Sequence, residues 1–189
     1  MNDFFDNETY TKVDFKLTKI NKGEYDSCTF KNCNFENVHA SNIEFLECEF
    51  IDCNFSNTVV NHTSFKDCVF ENCKIIGVKF NECNNFLLAM SFHNCQLNVS
   101  SFYQLKIPGT KFVNCNLQEV DFMEADIQKS IFKNCNLKGA IFDQTNLEKT
   151  DLRTATHFTI NPENNRVKKA KFSNENIVGL LYKYNIVVE

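Results

Sequence analysis

The chain of 189 residues has no tryptophan, two prolines and five glycines. With so few breakers there is no Gly- or Pro-rich linker, and the length suits one domain, or one elongated unit with a small cap. No apolar run reaches the roughly 18 residues that a membrane-spanning helix needs. The opening MNDFFDNETYTKVDFK is polar and acidic and lacks the apolar stretch of a secretory signal. There is no C-x-x-C pair, and His39, His62, His93 and His157 keep no ligand spacing to any cysteine. Gly-rich phosphate loops, nucleophile elbows and paired catalytic carboxylates are missing too. These absences predict a soluble cytoplasmic protein with reduced thiols and no membrane segment, and they leave no candidate for catalysis, metal or cofactor.

What is present is a beat. From Tyr10 to Phe80, and again from Leu87 to Leu152, nearly every fifth residue is Phe or another apolar side chain. Steps of five leave no stripe on a helix, and on a continuous strand they alternate between the two faces. The beat makes sense only if each pentad is a short strand followed by a corner, which is a solenoid. Taking each apolar centre as position i, the residue at i−2 shares its face and is small or thin. All ten cysteines fall at i−2, where Cys behaves as a small hydrophobe; they are core filler. The inward-pointing Phe ladder is core as well, not a platform for stacking bases. Asn32, Asn37, Asn42, Asn57, Asn72, Asn94, Asn114 and Asn134 sit at i+2, as do Gly77, Gly109 and Gly139. Asn and Gly tolerate the positive φ that a type II turn requires at its third position, so the corners are type II.

Cysteines recur at 20-residue intervals (Cys28, Cys48, Cys68; Cys33, Cys53, Cys73; Cys95, Cys115, Cys135). Twenty residues are four pentads, so the coil is four-sided and about seven coils make a rod of roughly 34 Å. The rhythm breaks once, with two residues inserted near 81–86. The expected organisation is a lead-in over 1–9, a β-helix over 10–172 and a cap over 173–189. Val167 and Phe172 still fall on the beat. Ser173 then reads as the N-cap of a short α-helix carrying Ile177, Leu180, Leu181 and Tyr184 on one face, followed by an apolar strand, Ile186 to Val188. An unprotected apolar end invites a partner, so Phe172, Ile177, Leu180, Leu181, Tyr184, Ile186 and Val188 are expected to form a homodimer interface.

The net charge of −4 hides an asymmetry: residues 1–85 hold 14 acidic and 8 basic side chains, residues 86–189 hold 10 and 12. Glu24, Asp26, Glu44, Glu47, Glu49, Asp52, Asp67 and Glu71 fall on one face and around its corner, and columns spaced about 4.8 Å apart turn them into a dense stripe. The stripe reads either as a solvated surface that blunts β edges or as a recognition face for a basic partner. Direct nucleic-acid binding is not expected, because the acidic half would repel a polyanion.

The pentads CNFEN, CEFID, CNFSN, CNLQE, ADIQK, CNLKG and TNLEK resemble the pentapeptide repeat family over residues 10–152. The tail, with NPENNRVKKAKFS and a GLL…IVVE ending, is similar to the C-terminal segment of Qnr-type quinolone-resistance proteins. The resemblance implies a right-handed quadrilateral β-helix, all-β with a short C-terminal helical cap, that dimerises through that cap. It also implies a DNA-mimicking, non-enzymatic rod that binds DNA gyrase and topoisomerase IV and protects them from quinolones. A scaffold or immunity protein of the same fold with a different protein partner is the alternative. The large projecting loops of plasmid-borne Qnr proteins have no counterpart beyond the two-residue insertion.

Overall fold

The computed structural model describes residues 3–187. Their strands are short and pair only in parallel, each residue with the one a full coil later. One face is a four-stranded sheet of β1 (Asp3–Asp6), β3 (Gly23–Asp26), β5 (Glu44–Leu46) and β7 (Ser64–Lys66). The next is a seven-stranded sheet of β2 (Thr9–Thr11), β4 (Thr29–Lys31), β6 (Glu49–Ile51), β8 (Cys68–Glu71), β9 (Met90–His93), β10 (Lys111–Val113) and β11 (Ile131–Lys133). The third and fourth faces, centred on residues such as Phe35 and Ala40, are held by single bridges such as Asn34↔Asn54 and His39↔Val59. The molecule is a quadrilateral parallel β-helix, as its sequence period requires.

The residue at i−1 helps to turn some rows early. Where it is Asn or Asp, its side-chain oxygen accepts the backbone N–H two residues on, as Asn34 does from Glu36 at 3.1 Å and Asp121 does from Met123 at 2.9 Å. This Asx bond draws the chain into the corner early. The extended rows β2, β4, β6, β7 and β10 have Thr9, Thr29, Glu49, Ser64 and Lys111 at i−1, and no Asx bond competes there, although rows with Lys74, Ser101 or Lys106 at i−1 turn as well.

Inside, like stacks on like. Phe30, Phe50, Phe70, Phe92, Phe112 and Phe132 form a ladder with ring centroids 4.8 to 5.3 Å apart and nearly parallel planes. Rings on adjacent faces meet edge to face, as Phe50 meets Phe55 at 87°, which suits the quadrupole of each ring. Every coil fills the same cross-section. Early coils combine three Phe with a small fourth residue (Ala40 or Val60), whereas later coils place Phe on opposite faces and Leu or Ile between them (Leu97, Ile107, Leu117, Ile127). The i−2 column has a second task. Its side chain donates to a carbonyl of the preceding coil: Cys48 Sγ to Tyr25 O at 3.2 Å, Cys73 Sγ to Phe50 O at 3.2 Å, Thr58 Oγ1 to Phe35 O at 2.7 Å. Cys and Thr are therefore equivalent there, and all ten cysteines are free and buried.

Most corners are left-handed, with Leu17, Lys22, Glu82 and Thr154 as exceptions. Every Asn and Gly expected at i+2 has positive φ, but so do Lys12, Glu47, Asp67, Lys129 and even the β-branched Val99 (φ 51°). Stacking imposes the conformation: Val99 N–H donates to Gln118 O of the next coil at 2.9 Å, so the ladder outweighs the local cost.

Four expectations need correction. The coil begins before residue 10, since β1 lies within the expected lead-in yet pairs in register with β3. Leu87 is not a core centre: it is 66% exposed with φ 56°, a corner residue, while Leu88 is buried. The extra residues therefore follow that corner, and the row before it is centred on the polar Asn85. The cap is not an α-helix but two 3₁₀ turns, Ile177–Leu180 and Tyr182–Tyr184. Gly179 O accepts Ile160 N–H at 3.0 Å, and a Cβ on Gly179 would lie 2.5 Å from Phe158 O, so the rod holds this backbone too closely for an α-helical ladder to run through it. Finally, residues 185–187 form no strand, and Val188 lies outside the described residues.

Replacing Val99 by Asn should stabilise the rod by about 1 kcal/mol, because Asn tolerates the left-handed corner better; an unchanged or lower denaturant midpoint would contradict this. Burial raises the thiols of Cys28 and Cys48, the latter to about 12. In the folded chain these two thiols stay protonated while unfolded ones ionise from the ordinary value of 9.0 upward, so their contribution to stability should be constant below about pH 8 and fall as pH rises from about 9 toward 12. Thermal melts across that range, with thiol-reagent accessibility, would show it.

Candidate functional site

Two surfaces stand out, and neither resembles a catalytic cleft. Among the described residues no group of three or more His, Cys, Asp or Glu side chains could hold a metal ion, and no helix is long and apolar enough to cross a membrane.

The first surface is the acidic stripe. Glu24 stacks on Glu44 between β3 and β5, with Asp26 on the far side of the same strand. Glu47 and Asp67 occupy successive corners leading to the second face, with φ of 51° and 53° that aim both side chains outward. Glu49 and Glu71 lie on that second face, and Asp52, whose N–H donates to Glu71 O at 3.0 Å, sits at its far corner. The structure thus spreads the eight residues over two adjacent faces and their edges. Sequence analysis missed the extension of the stripe by Asp6, which pairs in register with Asp26; the acid that closes DFFD was its signal.

These carboxylates differ from others on the rod. Asp14, Asp121, Asp126 and Asp151 each cap their own turn, and the Arg153 guanidinium at 2.7 Å holds Asp151 below the usual carboxylate range. Within the stripe only Glu44 is paired, with Lys66 at 2.9 Å, and Asp26 accepts the neighbouring Ser27 hydroxyl. Glu24, Glu47, Glu49, Asp52, Asp67 and Glu71 form no side-chain hydrogen bond or ion pair among the described residues. Like charges stacked on adjacent strands repel, as Glu24 and Glu44 do here, with Lys66 beside Glu44.

The second surface is the cap. Ser173 Oγ accepts Asn176 N–H at 3.3 Å, so it caps the turn as expected, and Asn176 Nδ2 reaches back to Leu152 O and Ala155 O at 2.7 and 3.0 Å. Phe172 and Leu180 pack against the core, with Phe172 5.6 Å from Phe158. Ile177, Tyr184 and Ile186 are about half exposed, and Val178 and Tyr182 join them. The latter two escaped the helical-face reading because 3₁₀ turns present different positions. Beside them a groove of about 750 Å³ is lined by His157, Phe158, Val178, Leu181, Tyr182 and Ile186.

The pentapeptide repeat region model matches residues 23–86 and 78–152. No curated protein matches the chain. Among solved structures, a trypsin-treated variant of QnrB1, a plasmid-mediated fluoroquinolone resistance protein, is similar with a TM-score of 0.59 at 17% identity, covering 99% of this chain and 92% of that one. A second trypsin-treated QnrB1 variant gives 0.50 at 17% identity, covering 99% and 100%. HetL, a pentapeptide repeat protein involved in heterocyst differentiation regulation in the cyanobacterium Nostoc sp. strain PCC 7120, is a looser match, with a TM-score of 0.33 at 10% identity over 90% of this chain and 86% of that one. By its repeats, and by a family match that spans most of its coil, this chain belongs to the pentapeptide repeat family.

Proposed function

We propose that the protein is a non-enzymatic binding rod whose acidic stripe docks into a basic groove of a type II topoisomerase, DNA gyrase or topoisomerase IV, and thereby protects the enzyme from quinolones or restrains it. The observation that carries this reading is the acidic stripe over two adjacent faces, six of whose eight carboxylates are unpaired among the described residues. Such a face repels itself when free and gains most when a cationic surface covers it. Its regular spacing, near 4.8 Å per coil, is comparable with the roughly 3.4 Å charge spacing along one strand of a duplex, so it imitates a polyanion in shape as well as sign. Likeness to QnrB1, a fluoroquinolone resistance protein, points to the same class of partner. A cytoplasmic location follows from that partner.

The cap supports a second part of the proposal, a homodimer. Phe172, Leu180 and Leu181 would form its half-buried base, and Ile177, Tyr184 and Ile186 its contact surface; Val188 belonged to the same expectation. Exposed apolar side chains gathered at one end of a rod favour burial against a second copy.

Purified protein should either rescue gyrase supercoiling from a fluoroquinolone or inhibit supercoiling directly. Glu47→Asn with Asp67→Asn keeps the left-handed corners while removing both charges, and should weaken that effect about tenfold. No effect of the parent chain on gyrase or topoisomerase IV from its own source would eliminate the topoisomerase reading in favour of a scaffold with another partner. For the cap, Ile177→Asp with Ile186→Asp should give a monomer by light scattering with an unchanged circular dichroism spectrum. A parent chain that is already monomeric at high salt would contradict the cap-mediated dimer.

A further inference from the structure

The acidic stripe changes sign halfway along the rod without leaving its two faces. The corner column that carries Glu47 and Asp67 after Asn7 and Ser27 continues through the uncharged Leu87 and Gly109 to Lys129, Lys149 and Lys169, all with left-handed φ and linked coil to coil by Lys129 N–H to Glu148 O and Lys149 N–H to Lys168 O. On the second face, Glu49 and Glu71 of the first half give way to Lys111, Lys133 and Lys171, in columns tied by β10↔β11 and by the Asp151↔Lys171 bridge. Only Asp126, Glu148 and Asp151 interrupt the basic ribbon. Two of them are already occupied, Glu148 by Arg166 at 3.0 Å and Asp151 by Arg153 at 2.7 Å. Lys106, Lys111, Lys129, Lys133, Lys149 and Lys169 form no ion pair among the described residues. The near-balanced charge of the C-terminal half therefore conceals a segregated surface, with Glu119, Asp121 and Asp143 on the other two faces and Glu124 at the corner that leads onto the first.

We propose that two copies of this chain associate side by side and antiparallel along these two faces, the acidic half of each lying on the basic half of the other. A two-fold axis across the rod middle brings this about without any change of shape, because one pair of faces carries both signs in sequence. Both ribbons repeat on the same coil spacing of about 4.8 Å, so carboxylates and ammonium groups meet on matched lattices. Outward apolar side chains flank the midpoint on the second face, with Ile51 and Val69 in the acidic half and Val113 and the 38%-exposed Ile131 in the basic half; each copy thus offers apolar contact to the other. A nucleic acid would engage the basic half and be repelled by the acidic one, whereas a second copy satisfies both. The contact is narrow, which makes the association weak and salt-sensitive. It also covers the acidic stripe, so self-pairing and binding of a basic partner exclude one another.

The test uses the full chain carrying Ile177→Asp and Ile186→Asp, so that a cap-mediated dimer does not mask lateral pairing. Sedimentation at about 0.02 M salt should show twice the 22.0 kDa chain mass, returning to the single mass at about 0.5 M. Glu47→Lys with Asp67→Lys should abolish the pairing, and so should Lys129→Glu with Lys149→Glu. Both residue types already occupy left-handed corners (Lys12, Glu119), so neither swap strains the fold. Mixed together, the two charge-reversed proteins should pair again as a heterodimer, since each contact regains opposite signs. A monomer at low salt, or a mixture that stays monomeric, overturns the proposal. So does a monomeric chain that binds a labelled DNA duplex and loses that binding on Lys129→Glu with Lys149→Glu, which would identify the ribbon as a polyanion site instead.

Discussion

The rod depends on one constraint: each residue stacks, in register, on the residue one coil away. Parallel in-register pairing joins the backbone through hydrogen bonds that run along the axis, such as Glu47 N–H to Lys66 O. It also forces every side chain to live beside its own counterpart. Inside, that is favourable, because Phe on Phe gives the offset stacking seen from Phe30 to Phe132. Outside, the same rule piles charge on charge. A surface that globular folds would scatter becomes columns of one sign, and a column of one sign either repels itself or finds a complement.

The second consequence is that the cross-section has to be conserved. Packing density leaves little room for error, and the coils answer with compensating swaps. Beside Phe45, Phe50 and Phe55 the fourth wall is Val60, and beside Phe65, Phe70 and Phe80 it is Ile75; where Leu97 and Ile107 fill two walls, Phe92 and Phe102 hold the others. The i−2 column follows the same logic in polar form. Cys, Thr and, near the cap, Asn165, whose Nδ2 reaches Phe142 O at 3.0 Å, all satisfy one carbonyl while taking little space. A thiol is a weak donor, but it meets this demand without adding a strongly hydrated group to the core.

Much of this was legible in the sequence because the constraint is periodic. Five-residue centres, 20-residue echoes and Asn or Gly at the corners each report the same coil, and they agree. Local features that break the period were harder to read. Leu87 looked like a centre because it is apolar and on a multiple of five from Phe92, yet the ladder places it at a left-handed corner. Apolar pattern cannot distinguish a corner from a wall once two residues are inserted. The cap failed for a related reason: a 3.6-residue period was read into a segment whose backbone answers to Phe158 and Ile160 instead of to its own helical bonds. The stripe was legible as a set of residues, but its lack of partners was not. Whether a carboxylate is free or caps its own turn depends on whether it is Asp at i−1, as in Asp126, or Glu at the same position, as in Glu49, whose longer side chain does not make that bond.

That last distinction bears on function. Acidic residues that cap turns would be retained for folding alone, and the rod has several. The stripe is made from the other kind, Glu on strands and acids on left-handed corners, where Asn would serve the backbone better and without charge. Turn capping therefore does not account for Glu47, Asp67 or Glu49. Under the proposed docking and pairing, an opposing surface of matched spacing would account for them. The rod's own basic ribbon has that spacing, because both are cut from the same coil, and a foreign partner succeeds to the extent that it outcompetes that ribbon.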